Sequence, residues 1–266
     1  MTEVHAAPPP TAIDPADRDA LFEYLLRLGD DRLVLGHRLS EWCGHGPILE
    51  EDIALANISL DLIGQATLVL KLAAEVEGQG RSEDALAYFR DAVAFCNLQL
   101  VELPNGDYAF TIVRQFLFDV YSYHLLEQLQ QSAHSELAGI AAKGFKEVRY
   151  HVRHSSEWML RMGDGTEESH ARAQKALDEV WRFTGEMFVP DAVDQQLLAR
   201  GIGADLTAIK PKWESVVSDV VTRATLAVPA ESFMLSGGRD GRHTEYLGHM
   251  LSDMQIVARS HPGAEW

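Results

Sequence analysis

Apolar residues recur every three or four positions along almost the whole chain, the spacing of one helix face, and the strict alternation of a half-buried strand is nearly absent. Leu21, Tyr24, Leu25, Leu28, Leu33 and Leu35 mark a first helix. It starts after Asp14-Pro15, a good N-cap followed by the residue best suited to a first helical position, and runs toward Trp42 until Gly44-His45-Gly46-Pro47 stops it. A second helix spans Leu49 to Glu77 with Ile53, Leu55, Ile58, Leu62, Gln65, Leu68, Val69 and Leu72 facing inward, and Gly78-Gln79-Gly80 ends it. Ser82 can cap a third, which carries Leu86, Phe89, Val93, Phe95 and Leu100. After the turn Pro104-Asn105-Gly106-Asp107 come a fourth helix from Tyr108 to Gln131 and a fifth from Ser135 to Met162. A sixth runs from His170 to Phe188 and stops before Pro190. Shorter helices follow over Asp191–Arg200 and Asp205–Val228, then a glycine-rich loop from Ser236 to Gly241 and a last amphipathic helix with Tyr246, Leu247, Met250, Leu251 and Ile256.

Long helices joined by short turns pack antiparallel, so the pattern predicts an all-α bundle with a helical C-terminal extension. The expected organisation is one helical domain over residues 14–266, the bundle occupying 17–188 and the extension 191–260. Residues 1–13, with the run Pro8-Pro9-Pro10, read as a disordered lead without the basic and apolar regions of a signal peptide. No uncharged apolar run of about 20 residues is present, which argues against a membrane span and for the cytoplasm.

The chain has 266 residues and a formal net charge of −17, which disfavours nucleic acid and anionic membranes as partners and suits a partner with a basic face. Cys43 and Cys96 lie far apart and are expected as buried free thiols. No P-loop, nucleophile elbow or dinucleotide fingerprint occurs, and Gly201-x-Gly203 lacks the strand that would give it meaning. The loop Gly237–Gly241, with Arg239 and Arg242, reads as a connector that could also bind an anion.

Two stretches have the frame of a metal-binding bundle without its ligands. Di-iron carboxylate bundles use a Glu-x-x-His pair on each of two helices and one further carboxylate from each of two others. Here the slots read Leu62-x-x-Gln65 and Val148-x-x-His151. Asp61 and Gln65, four apart on the second helix, form either a metal or proton site or a polar core pair bonded to a neighbouring helix, the second needing fewer assumptions. Asp119, set among aromatics on the fourth helix, is costly to bury unless paired. His151, flanked by Glu147 and Val148 and followed by His154 and Glu157, forms either a half-site for one metal or a hydrogen-bonded Asp–His or Glu–His link between the fourth and fifth helices. The link is the favoured reading.

Together the chain resembles the non-catalytic subunit of the bacterial phenylacetyl-CoA epoxidase family, multicomponent di-iron monooxygenases of ferritin-like fold. The resemblance runs from Leu21 to Trp266 and is carried by Leu28-Gly29-Asp30, Glu41-Trp42-Cys43-Gly44-His45, Ala54-Leu55-Ala56-Asn57-Ile58, Leu103-Pro104-Asn105-Gly106, Lys146-Glu147-Val148-Arg149-Tyr150-His151 and His243-Thr244-Glu245-Tyr246-Leu247-Gly248. It implies that Leu62 and Val148 stand where the catalytic subunit has its two Glu-x-x-His glutamates, with Gln65 and His151 in the histidine slots. Asp119 then takes the fourth-helix carboxylate slot, and the first-helix carboxylate falls near Arg32, beside Asp30 and Asp31.

By the same resemblance this chain holds no cofactor. The di-iron centre belongs to a catalytic partner of the same fold, and NADPH, FAD and an iron-sulfur cluster belong to a reductase subunit. The implied role is to pair with and stabilise the catalytic subunit alongside reductase and small accessory subunits, with a homodimer when alone. An independent di-metal oxidase or iron-binding ferritin-like protein is the rival. A displaced single-metal site using Asp61 and Glu147 stays open on spacing alone.

Overall fold

The computed structural model describes residues 14–230 and 233–264. The expected lead over residues 1–13 lies outside the described residues. Among the described residues there are ten α-helices, five short 3-10 turns and no strand. The molecule is an all-α, ferritin-like helical bundle with its C-terminal helices packed along it.

Helix α1, Arg18–Ser40, follows a 3-10 turn over Pro15–Asp17 in which the Asp14 carboxylate accepts from the Ala16 N–H. Helix α2, Leu49–Glu77, ends at Gly78, whose φ of 70° is the left-handed cap that glycine adopts freely. These two pack antiparallel, as do α5, Tyr108–Leu129, and α6, Ser135–Gly163. The Asp107 carboxylate caps α5 at Phe110, and His134 Nδ1 caps α6 at Leu137. Helix α5 is the most deeply embedded element, with Ile112, Val113, Phe116, Leu117 and Phe118 all buried. Helix α7, Glu167–Val180, opens with a capping box between Thr166 and Ser169 and packs on α5 and α6. Helices α8, Ala192–Ala199, and α9, Leu206–Arg223, lie against α1 and α5, and α10, Glu245–Ser260, packs on the short helix α3, Glu83–Tyr88.

The expected third helix is broken. Only α3, Glu83–Tyr88, and a single turn, α4, Gln99–Glu102, are helical there, and Phe89 and Val93 point into solvent. Two buried carboxylates on α1 explain the break. Asp30 accepts from the Cys96 N–H at 2.9 Å and from the Arg90 guanidinium, while Asp31 accepts from the Leu98 N–H at 2.8 Å. They satisfy the backbone of a non-helical segment whose Phe95 and Leu98 plunge into the core.

The sixth helix also ends early, at Val180, and continues as two 3-10 turns, Trp181–Phe183 and Gly185–Phe188. The second turn aims Glu186 at the backbone N–H groups of Gln99, Gly237 and Gly238. The loop expected as a connector is therefore bolted down, and half-buried Arg239 reaches in to pair with the fully buried Asp31 at 2.8 Å. Cys43 and Cys96 are both free, but Cys43 is exposed and Cys96 only part-buried, because Cys43 falls in the turn after α1. Among the described residues α2 is long and apolar enough to cross a membrane by length and composition, with a mean hydropathy of 1.6 over its best window. Half of that window is buried in the bundle.

Candidate functional site

Four helices converge at mid-bundle: α1 brings Arg32, α2 brings Asp61, Leu62 and Gln65, α5 brings Asp119, and α6 brings Glu147, Val148 and His151. Arg32, Leu62, Gln65, Asp119, Val148 and His151 are all buried. The structure thus brings together the six positions singled out in the sequence, and adds the partners that hold them.

The Arg32 guanidinium donates from Nε to Gln65 Oε1 at 3.0 Å and from Nη1 to the Leu28 carbonyl at 2.9 Å, with Nη2 3.5 Å from Ser122 Oγ. Gln65 passes the chain on, donating from Nε2 to Glu147 Oε2 at 2.8 Å. Gly144, one turn before Val148, makes this possible. A Cβ there would stand 3.1 Å from the Gln65 amide carbon, so glycine lets α6 approach closely. Burial pulls the Arg32 pKa below its usual range, partly offset by Asp31.

On the α5 side, Asp119 Oδ1 accepts from Gln115 Nε2 at 2.6 Å and Oδ2 from the Ser155 hydroxyl at 2.8 Å. Burial pushes its carboxyl up to about 6, against the opposing pull of His151 and of these two hydrogen bonds. His151 takes its partner from α2 instead, with Nε2 3.0 Å from Asp61 Oδ2, and its Nδ1 is buried without a partner. The expected Asp–His or Glu–His link between α5 and α6 is therefore an α2–α6 link. The α5–α6 contact runs through Ser155, a residue to which the sequence pattern does not point.

Glu51 is a second such residue. It looks like an ordinary acid in the first turn of α2, yet its Oε2 accepts from Tyr108 at 2.7 Å and sits 2.8 Å from His154 Nε2. Burial raises its carboxyl, but the Tyr108 and His154 hydrogen bonds prevail and the net shift is downward. Trp42, Tyr108 and Trp158 stack edge-on around it, with centroids 5.8 Å and 5.1 Å apart. Like Asp61 with His151, Glu51 with His154 joins α2 to α6 through a carboxylate and an imidazole.

The chain belongs to the family of phenylacetic acid catabolic proteins, whose model matches residues 1–266. It is 48% identical over 246 residues, 92% of this chain and 99% of the relative, to a subunit of the 1,2-phenylacetyl-CoA epoxidase of Escherichia coli (strain K12).

A pair of iron ions, which the bundle architecture implies at this place, does not fit the residues present. Two ferrous ions bring four positive charges that such bundles offset with four carboxylates. Leucine and valine, which donate nothing to a metal, stand at the centre of the cluster as Leu62 and Val148, and Arg32 brings a cation to it. The carboxylates nearby are already committed: Asp119 to Gln115 and Ser155, Asp61 to His151, Glu147 to Gln65. Among the described residues no three His, Cys, Asp or Glu side chains are grouped to hold a metal ion.

Proposed function

We propose that this chain is the structural, non-catalytic subunit of a phenylacetyl-CoA epoxidase. In that role it pairs with a di-iron subunit of the same fold and stabilises it, while the complex adds oxygen across the aromatic ring of phenylacetyl-CoA. The observation that carries the reading is the buried Arg32–Gln65–Glu147 chain, which puts a guanidinium and its hydrogen bonds where a metal pair needs anions. The 48% identity to a subunit of the Escherichia coli 1,2-phenylacetyl-CoA epoxidase supports the assignment to such a complex.

In this reading the central polar residues tie helices together. Arg32 joins α1 to α2, Gln65 and Asp61 join α2 to α6, and Ser155 joins α6 to α5.

The test is iron per chain, by elemental analysis, after expression alone in iron-supplemented medium. The expected result is well under one iron per chain with helical content intact. Near two irons per chain would sink the proposal and return Asp61, Gln65, Asp119, Glu147 and His151 as a working site. Mixing with the iron-bearing subunit should then give a joint peak on gel filtration; separate elution would count against the pairing.

A further inference from the structure

The imidazole of His243 lies between two hydrogen-bond acceptors. Its Nδ1 is 2.8 Å from Glu102 Oε2, and its Nε2 is 2.9 Å from the Phe95 carbonyl oxygen. A neutral imidazole has one N–H and one bare nitrogen, so it satisfies only one of these acceptors, whereas an imidazolium donates to both. Glu102 is itself engaged as an acceptor on both oxygens. Oε2 also takes a hydrogen from Asn97 Nδ2 at 2.9 Å, and Oε1 takes the backbone N–H of Thr244. Three donors on one carboxyl group favour its ionised form.

Charge gives the same answer. The Glu102 side chain is fully buried and that of His243 is 5% exposed, and among the described residues His243 is the one cation in ion-pair range of this carboxylate. The other charges around the joint are matched elsewhere. From α1, Asp30 pairs with Arg90, Asp31 with Arg239, and Arg38 with Glu41. Arg38 reaches Glu102 at its backbone carbonyl, to which Nε donates at 3.1 Å. In the loop before α10, Arg242 pairs with Asp240, and on α10 itself Glu245 and His249 are exposed. Without a proton on His243, Glu102 is a buried charge with no partner.

His243 and Thr244 stand directly before α10, so the joint fixes the start of that helix. The helix meets the rest of the chain chiefly through α3 and the 3-10 turn Ala92–Ala94, and buries Leu247, Met250 and Leu251 there. Its other ties are hydrogen bonds, from Arg38 to the Tyr246 carbonyl and from Gln255 to the Ala87 and Arg90 carbonyls. An element at the edge of a fold with few buried side chains opens ahead of the core.

We infer that His243 and Glu102 form a one-proton latch: α10 is held against the bundle while His243 is an imidazolium, and it lifts more readily once that proton leaves. Burial pulls the imidazole pKa down, but the hydrogen bonds to Glu102 and Phe95 and the charges of Glu102 and Asp30 prevail, and it lies above its ordinary value. A histidine in an opened segment titrates near 6.5. The latch is therefore complete below about pH 6.5 and is lost as pH rises through the higher value of the closed state. Between the two values opening releases one proton, so the opening constant of α10 rises about tenfold per pH unit and then levels off.

The latch is a property of this chain and stands apart from its pairing with an iron subunit. Two measurements on the full chain test it. Long-range proton–nitrogen NMR of histidine-labelled protein should show both His243 nitrogens protonated at pH 6.5, with a midpoint above that of the exposed histidines; a bare nitrogen there would overturn the inference. Hydrogen exchange of the α10 amides, corrected for intrinsic rates, should give opening constants that climb with pH up to the His243 midpoint. In His243→Gln, which has no titrating proton, α10 should open more readily at pH 6 and show no such climb. Opening constants that stay flat in the wild type between pH 6.5 and the His243 midpoint, or that climb equally in His243→Gln, would overturn it even with the imidazolium present. The NMR measurement and the wild-type exchange profile decide the matter if the variant does not fold.

Discussion

Arg239→Met is expected to lower stability by about 3–5 kcal/mol, the cost of leaving a buried charge without its partner. The Arg239 guanidinium donates to both oxygens of the fully buried Asp31, at 3.0 Å and 2.8 Å, and to the Cys96 carbonyl at 2.7 Å. Burial raises the Asp31 carboxyl above its ordinary range, and the charge and hydrogen bonds of Arg239 are the chief opposing influences. Methionine keeps much of the side-chain volume, so the loss reports charge and hydrogen bonds more than a cavity. The effect should spread, because the same joint seats three segments. Asp31 also holds Leu98, Glu186 holds Gln99 and Gly238, and Glu102 holds His243 and Thr244. Gly238 sits so close to Asn97 that a Cβ would come within 2.2 Å of its carbonyl oxygen. Urea unfolding measures the loss, and hydrogen exchange should show the amides of α10 opening before those of α5. A loss under about 1 kcal/mol would mean that the Arg239–Asp31 pair is no stronger than a surface ion pair. Asp31→Asn should recover part of the loss when combined with Arg239→Met, since the orphaned charge is then gone.

That joint is the part of the fold least legible in the sequence. Helix spans set by caps and turn residues are readable. The expected Leu49–Glu77 is α2 itself, and Ser135–Met162 is α6 to within one residue, because Gly78 caps α2 in the left-handed conformation and α6 runs out in the turn Gly163-Asp164-Gly165. The segment after Ser82 misleads because its apolar residues keep a roughly helical spacing, whereas Asp30 and Asp31, some 60 residues away, decide its conformation. Periodicity reports which face a residue occupies and says nothing of a carboxylate arriving from another helix.

The site shows the same divide. Motif spacing places its positions, but not the cross-helix register that gives His151 to Asp61 and leaves Asp119 to Ser155. On α2, which is apolar nearly all round, spacing does not separate the inward stripe from the outward one. Ile53, expected inside, is 53% exposed.

Asp119→Asn is expected to stabilise the protein above pH 6, an unusual sign for removing a buried polar charge. The Asp119 carboxyl is pushed up to about 6 by burial, against about 3.9 for an aspartate in an unfolded chain. At pH 8 the group is ionised in both states, and the folded state bears the desolvation cost. As pH falls through 6 the native carboxyl takes up a proton while the unfolded one does not, so stability rises with falling pH until about 4 and is then unchanged by this group. The difference of about 2 units corresponds to roughly 3 kcal/mol, an upper figure since local relaxation softens it. Asparagine matches the shape and can keep the contacts. Its Oδ1 accepts from Gln115, and its amide donates to Ser155 Oγ, whose own hydrogen turns to the His151 carbonyl 2.9 Å away. The variant should therefore be more stable than wild type by about 2 kcal/mol at pH 8 and equal to it at pH 4, with the gap closing between pH 6 and pH 4. Urea midpoints at pH 4, 5, 6 and 8 would show this directly. Asp119→Ala, which leaves Ser155 and Gln115 unpaired around a cavity, should fall below Asp119→Asn at every pH. An Asp119→Asn variant less stable than wild type at pH 8 would mean that the hydrogen bonds from Gln115 and Ser155 to the carboxylate outweigh the cost of its burial.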